Sequence, residues 1–197
     1  YGTQKVMTSI NGEVAKAIDM CAVPVGNRLS RRELAVVVAL TLTALALRLF
    51  MLRHPAEMSG DQVWYAVLGQ KLISGNFREG LSTYWPPLYP LLIGVFSAGI
   101  GNLELAGRLV SVLSGSLLVL VEYLFVRRLY GKEMACVAAF ITVIYPMLIQ
   151  FSTLVLTESV YTLLFTLALF SGLTALLHGG RSRFSLTGML IGVISGI

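Results

Sequence analysis

The chain has 197 residues, 56% of them hydrophobic and 13% charged, an apolar share above that of soluble domains with about half their charge. This excludes a soluble globular domain and points to an integral membrane protein. The formal net charge of +5 is accounted for by basic clusters at membrane boundaries and needs no nucleic-acid partner.

Residues 1–32 form a polar leader without the long apolar core of a secretory signal, and are expected to be cytoplasmic and partly disordered. Apolar runs near the ~20 residues that cross a bilayer follow at 34–52, 105–126, 134–151 and 160–177, and a fifth occupies 184–197. The chain opens on Tyr1 and stops inside that fifth run, so we expect the amino-terminal part of a longer polytopic protein. Cys21 and Cys136 fall in the leader and inside a span, and are read as unpaired thiols.

Three basic clusters set the expected orientation: Arg28, Arg31 and Arg32; Arg127, Arg128 and Lys132; Arg181 and Arg183. Placing all three in the cytoplasm leaves residues 53–104 and 152–159 outside, and with them Asp61 and Glu158. Within the first outer loop, Val63, Trp64, Val67, Leu68 and Leu72 recur at helical spacing, with Gln62, Gly69 and Gln70 expected on the other face. This predicts an interfacial helix over 61–74, opened by a Ser59–Gln62 capping box and closed at Gly75–Asn76. The segment after Tyr84-Trp85-Pro86-Pro87-Leu88-Tyr89-Pro90 is short for a span and predicts a juxtamembrane or re-entrant helix. Tyr65, Trp64, Tyr84 and Trp85 fit an aromatic belt better than a sugar-stacking platform.

Single charged residues carry simpler expectations. Arg48, one turn from the end of its span, is expected to snorkel to the headgroups. Glu122 lies one turn from Arg127 and Arg128 and is expected to pair with them. No phosphate-binding glycine loop is present in the sequence, which makes a nucleotide-sugar donor improbable. Asp61 and Glu158 lie far apart in sequence, with no Asp-x-Asp motif or His cluster, so a divalent metal is left open.

An acid just beyond the first span with a Tyr four residues on, then Pro86-Pro87-Leu88, Ala106-Gly107-Arg108-Leu109-Val110-Ser111, Arg127-Arg128-Leu129-Tyr130-Gly131 and Tyr145-Pro146, resembles in order the lipid-linked-sugar glycosyltransferases. That family includes the protein O-mannosyltransferases and the aminoarabinose transferases of lipid A. The resemblance implies an all-α polytopic transmembrane bundle of the GT-C type, with interfacial juxtamembrane helices in the first outer loop. It implies a sugar donor linked to polyprenyl phosphate, a lipid, glycan or protein acceptor, membrane lipids as surroundings, and no required cofactor. The active site would face outwards from the plasma (inner) membrane.

By the same resemblance, the first essential acid maps onto Asp61 and the second onto Glu158. The sequence departs from the family in two places. Gln62 stands where many relatives carry a second adjacent acid, and Trp85 stands where the aminoarabinose transferases carry a Lys. Lipid A as acceptor is correspondingly disfavoured.

The chemistry so implied requires a carboxylate to orient an acceptor oxygen and receive its proton. Asp61, opening a helix, would be favoured in its ionised form, which suits positioning better than proton removal. Cations are also required for the departing phosphate, and Arg108 ranks first among them, with Arg53, Lys71, Arg48 and Arg78 behind. Tyr65 is a further candidate for substrate contact. Asp61 as a plain first-turn acid and Glu158 as an interfacial carboxylate are the simpler readings. A multi-span transporter or flippase, for which midplane charges and repeated halves would be expected, and a non-catalytic membrane subunit are the alternative functions.

Overall fold

The computed structural model describes Gly12 and residues 29–53, 57–58, 60–82 and 84–177. The remainder of residues 1–28, His54, Ser59, His178, Arg181, Arg183 and the run at 184–197 lie outside the described residues. The described elements are all helices: α1 Arg31–Met51, α2 Asp61–Ile73, α3 Phe77–Gly80, α4 Leu88–Ile100, α5 Leu103–Ile144, α6 Pro146–Thr153 and α7 Glu158–Leu177.

Helix α1 starts where Ser30 offers a cap. Its hydroxyl accepts the Glu33 N–H at 3.2 Å and its own N–H donates to Glu33 Oε2 at 2.9 Å, a complete capping box. Leu34, Val36, Val38, Leu42, Leu49 and Phe50 remain exposed, whereas Val37, Ala44 and Arg48 form the buried stripe. An apolar outer face is the pattern of a helix whose solvent is lipid.

Helix α5 is the centre of the bundle. Its 42 residues would run about 63 Å if straight, yet the Thr142 hydroxyl donates to the Glu122 carboxylate. Gly131, with φ of 85° and ψ of 178°, turns the chain there in a conformation that side-chain-bearing residues rarely adopt. The arms 103–130 and 132–144 therefore double back. Val119 and Tyr123 from the first arm, Ala135, Ala139 and Val143 from the second, and Val37 and Ala44 from α1 form one core. The third predicted run, 134–151, is interrupted at Tyr145 (ψ of 114°), where Pro146 opens α6 in the position that tolerates its missing N–H.

By length and composition, α1 and α5 are each able to cross a membrane, with a third span if α6 and α7, bent 118° from one another, count as one. The expected all-α membrane bundle is present.

Helix α2 closes as the sequence predicts. The Gly75 N–H reaches Leu72 O at 3.2 Å and the Asn76 N–H reaches Lys71 O at 3.0 Å, the paired bonds of a Schellman end. Its start and its faces differ from expectation. Gly60 occupies the cap with no side-chain hydrogen bond, and the buried face is Gln62, Tyr65, Ala66, Leu68, Gly69 and Leu72, while Val63 and Trp64 are exposed. Next to lipid, apolar side chains lose nothing by facing outwards, whereas small and polar residues gain by turning to the protein. Gly69 and Gly94 use that freedom to bring α2 and α4 together. A Cβ on Gly94 would lie 2.7 Å from Gly69 O, and one on Gly69 would lie 2.7 Å from Pro90 O.

Candidate functional site

At the end of the bundle opposite the Glu33–Arg127 ion pair (3.1 Å), residues 154–157 join α6 to α7 and lead directly into Glu158. Three elements hold this corner. Arg108 Nη1 donates to Thr153 O at 2.8 Å, and the Ser111 hydroxyl donates to Leu156 O at 3.3 Å. From α2, Gln62 Oε1 accepts the Val155 N–H at 3.3 Å and the Tyr65 hydroxyl lies 3.4 Å from Thr157 Oγ1. From α4, the Tyr89 hydroxyl donates to Gly107 O at 3.1 Å and lies 2.8 Å from Ser111 Oγ. Gly107 leaves room for Val155, whose Cγ1 would be 2.6 Å from any Cβ placed there. A non-helical corner among apolar helices has carbonyls and N–H groups that water cannot reach, and these side chains satisfy several of them.

Tyr65 is the hub of this end. It packs edge-on against Trp85 and Tyr89, with ring centroids 5.0 and 5.3 Å away, inside a core with Ile93, Ala106, Val110, Val155 and Val160. Burial pushes its phenol above the usual value, the Thr157 hydrogen bond opposes the rise, and Glu158 and Asp61 add to it. Both carboxylates thus belong to the same end of the bundle as this hydroxyl. Each is exposed in the first turn of its own helix, Asp61 on α2 and Glu158 on α7. Of the residues expected in an aromatic belt, Trp64 and Tyr84 are exposed, whereas Tyr65 is only 5% exposed and packs into the protein.

The expected cations are distributed differently from one another. Arg108 is buried; it pairs with Glu104 (Nη2 to Oε1, 2.8 Å) while holding Thr153, so its guanidinium faces the corner. Lys71 pairs with Glu79 at 3.1 Å, about 15 Å along α2 from Asp61. Arg53 is exposed, with its guanidinium 5.3 Å from the Phe50 ring centroid, and Arg78 is exposed on α3.

Arg48 does not snorkel. It is 0% exposed and donates to Ser152 Oγ (3.1 Å), Ala44 O (3.3 Å) and Thr142 O (3.5 Å). A cavity of about 20 Å³ joins it to Ser152, Ser159, Thr162 and Glu158, room for about one water. The membrane-buried cation is tolerable because several hydroxyl and carbonyl oxygens surround it. Glu122 likewise departs from expectation: it accepts from Thr142, and Arg127 binds Glu33.

A second cavity, about 80 Å³, lies between α4 and α7, lined by Pro86, Leu88, Tyr89, Thr157, Val160, Tyr161 and Leu164. Among the described residues, no three His, Cys, Asp or Glu side chains gather in one place.

Sequence reading missed Gln62, Ser111, Ser152 and Thr157 as parts of this site. A hydroxyl in an apolar helix looks the same whether it bonds its own backbone, as Thr162 does to Glu158 O at 2.7 Å, or reaches another helix. For Gln62, the available signal was its place beside the candidate acid on a helix with few other polar residues.

These features define an all-α membrane protein with two exposed acids, Asp61 and Glu158, at one end of its bundle. Residues 85–195, more than half of the chain, match the model of the dolichyl-phosphate-mannose-protein mannosyltransferase family, and the chain belongs to that family. It is accordingly a membrane glycosyltransferase in general kind. The matched segment takes in Arg108 and Glu158 and begins after Asp61 and Tyr65. No curated protein and no solved structure matches the chain. Nothing in the fold or the family match favours the transporter reading.

Proposed function

We propose that the protein transfers a sugar from a polyprenyl-phosphate donor to a hydroxyl or phosphate of an acceptor, at the end of the bundle carrying Asp61 and Glu158. That end faces away from the cytoplasm in this reading, since Arg31, Arg32, Arg127, Arg128 and Lys132 lie towards the other. The observation that carries the proposal is the contact between Tyr65, four residues after Asp61 on α2, and Thr157, the residue directly before Glu158, at 3.4 Å, on a chain whose family is a glycosyltransferase family.

In the reaction, an acceptor oxygen attacks the anomeric carbon of the donor. The bond from that carbon to the phosphate oxygen breaks, the new carbon–oxygen bond forms, and polyprenyl phosphate leaves with the bonding pair. When the acceptor is a hydroxyl, its proton passes to a carboxylate. Asp61 is assigned the acceptor oxygen and its proton, and Glu158 the second contact that fixes the acceptor or sugar. Both acids are exposed, which a group meeting substrate requires.

Arg108 acts in this scheme as a positioning residue, because its guanidinium already holds Glu104 and Thr153. Exposed Arg53 is the better candidate for the departing phosphate, where a cation stabilises developing charge. Lys71, at the far end of α2, serves the donor only by longer-range attraction.

The test uses the complete protein in nanodiscs with a panel of polyprenyl-phosphate sugars and radiolabelled sugar. Transfer from at least one donor, lost in Glu158→Gln, is the expected result. Failure to release polyprenyl phosphate from any donor in the presence of acceptor extracts would contradict the proposal.

A further inference from the structure

We propose that Gln62, with Tyr65, is a positioning residue that clasps the 154–157 corner to α2 and so sets Asp61 and Glu158 in register. The inference rests on the two-acid reading above. Gln62 directly follows exposed Asp61 and precedes exposed Val63 and Trp64, yet is itself only 8% exposed. A primary amide turned into a dry interior costs free energy unless it is hydrogen-bonded. Here its carbonyl oxygen accepts the N–H of Val155, a residue whose side chain is wholly buried.

The relation is reciprocal. Val155 lies in the non-helical corner, where no helical carbonyl is available to its N–H, and without Gln62 a buried donor is orphaned. Three positions further along the same face of α2, Tyr65 reaches Thr157. Two neighbours of Asp61 thus grip both halves of the corner whose next residue is Glu158. Arg108 and Ser111 hold the corner to α5, but they do not fix it relative to α2. Helix α2 otherwise rests on apolar packing, through the Gly69–Gly94 contact and the Tyr65 ring against Trp85 and Tyr89, so the directional bonds between its Asp61 end and the corner are those of the clasp. Catalysis by two groups on separate helices is sensitive to displacements of about 1 Å, so a loosened clasp would slow transfer with little effect on donor affinity.

The test compares Gln62→Met, which keeps the volume but removes the acceptor, with Gln62→Glu, which keeps an acceptor oxygen. Both are made in the complete protein in nanodiscs. Transfer is measured at saturating donor, and spin labels at Trp64→Cys and Phe165→Cys, in a background without native cysteines, report the distance between α2 and α7. Q62M is expected to lower kcat roughly tenfold or more, to leave KM for donor within about twofold, and to broaden the distance distribution; Q62E is expected to restore both. If Q62M does not fold, Tyr65→Phe, which removes only the hydroxyl, is read in the same way.

A narrow distribution in Q62M, or a broadened one with unchanged kcat, overturns the clasp. The same is true if Q62E behaves as Q62M. If Asp61→Asn and Glu158→Gln both retain full transfer, the two-acid reading falls, while the distance measurement still decides whether Gln62 fixes α2 to the corner.

Discussion

Arg48 Nε and Ser152 Oγ, 104 positions apart in sequence, meet at 3.1 Å inside the bundle. The contact joins the first span to the helix that precedes the Glu158 corner, and Gly115 makes it possible. A Cβ on Gly115 would overlap the Ser152 hydroxyl and lie 3.1 Å from Arg48 Nε. Gly115→Ala should therefore destabilise the protein by about 1–3 kcal/mol, read as a lower thermal midpoint in detergent. An unchanged midpoint would mean that Ser152 and the guanidinium move aside without cost.

The contact between α2 and α4 is backbone against backbone, so it cannot yield as a side chain would. Gly94→Ala places a methyl 2.7 Å from Gly69 O and should push α2 away from α4. We expect a loss of about 1–3 kcal/mol and faster proteolysis in the segment from 61 to 82. Gly99→Ala is the control, since nothing lies within 4 Å of a Cβ there.

The phenol of Tyr65 is pushed above its ordinary range by burial, opposed by Thr157 and reinforced by Glu158 and Asp61. An acid whose folded value is raised keeps its proton longer in the folded state. Its stabilising share is complete below the ordinary value of about 10 and is lost as pH rises towards the raised value. The difference between wild-type and Tyr65→Phe alkaline absorbance titrations should show one phenolate appearing late, after the exposed tyrosines. Its appearance at the ordinary value would contradict the burial of Tyr65 beside two acids.

Lys71 acts on Glu79 in the opposite sense. Hydrogen bonds from Lys71 and Asn76, and the ammonium charge, hold the Glu79 carboxyl below its usual range. The pair contributes above the ordinary carboxyl value and is lost as pH falls through the lowered one. Lys71→Gln should raise the Glu79 midpoint, followed by carboxyl carbon NMR. No movement would show that the 3.1 Å pair does not persist in solution.

Much of the helical plan was legible because it rests on local chemistry. The Gly75–Asn76 stop depends on a left-handed turn that the sequence displays, and the apolar runs have membrane length. The burial of Gln62 and Gly69 in α2 was not legible, since apolar periodicity marks an apolar face but not which residues meet lipid and which meet protein; Leu68 and Leu72 turn to the protein while Val63 and Trp64 stay exposed. Arg48 was misread for a related reason: snorkelling is the default for an isolated arginine, but Ser152 and the Thr142 carbonyl, far away in sequence, provide oxygens at depth. Asp61 and Glu158 stood out by position, whereas their scaffold of Gln62, Thr157 and Ser111 exists only once the helices are assembled.

The central claim is tested most directly by Asp61→Asn in the complete protein, reconstituted in nanodiscs, with saturating polyprenyl-phosphate sugar and single-turnover detection of released polyprenyl phosphate. The variant should insert and fold as wild type and lose transfer by a factor of about 100 or more. Wild-type transfer by folded Asp61→Asn would show that this carboxylate neither orients nor deprotonates the acceptor.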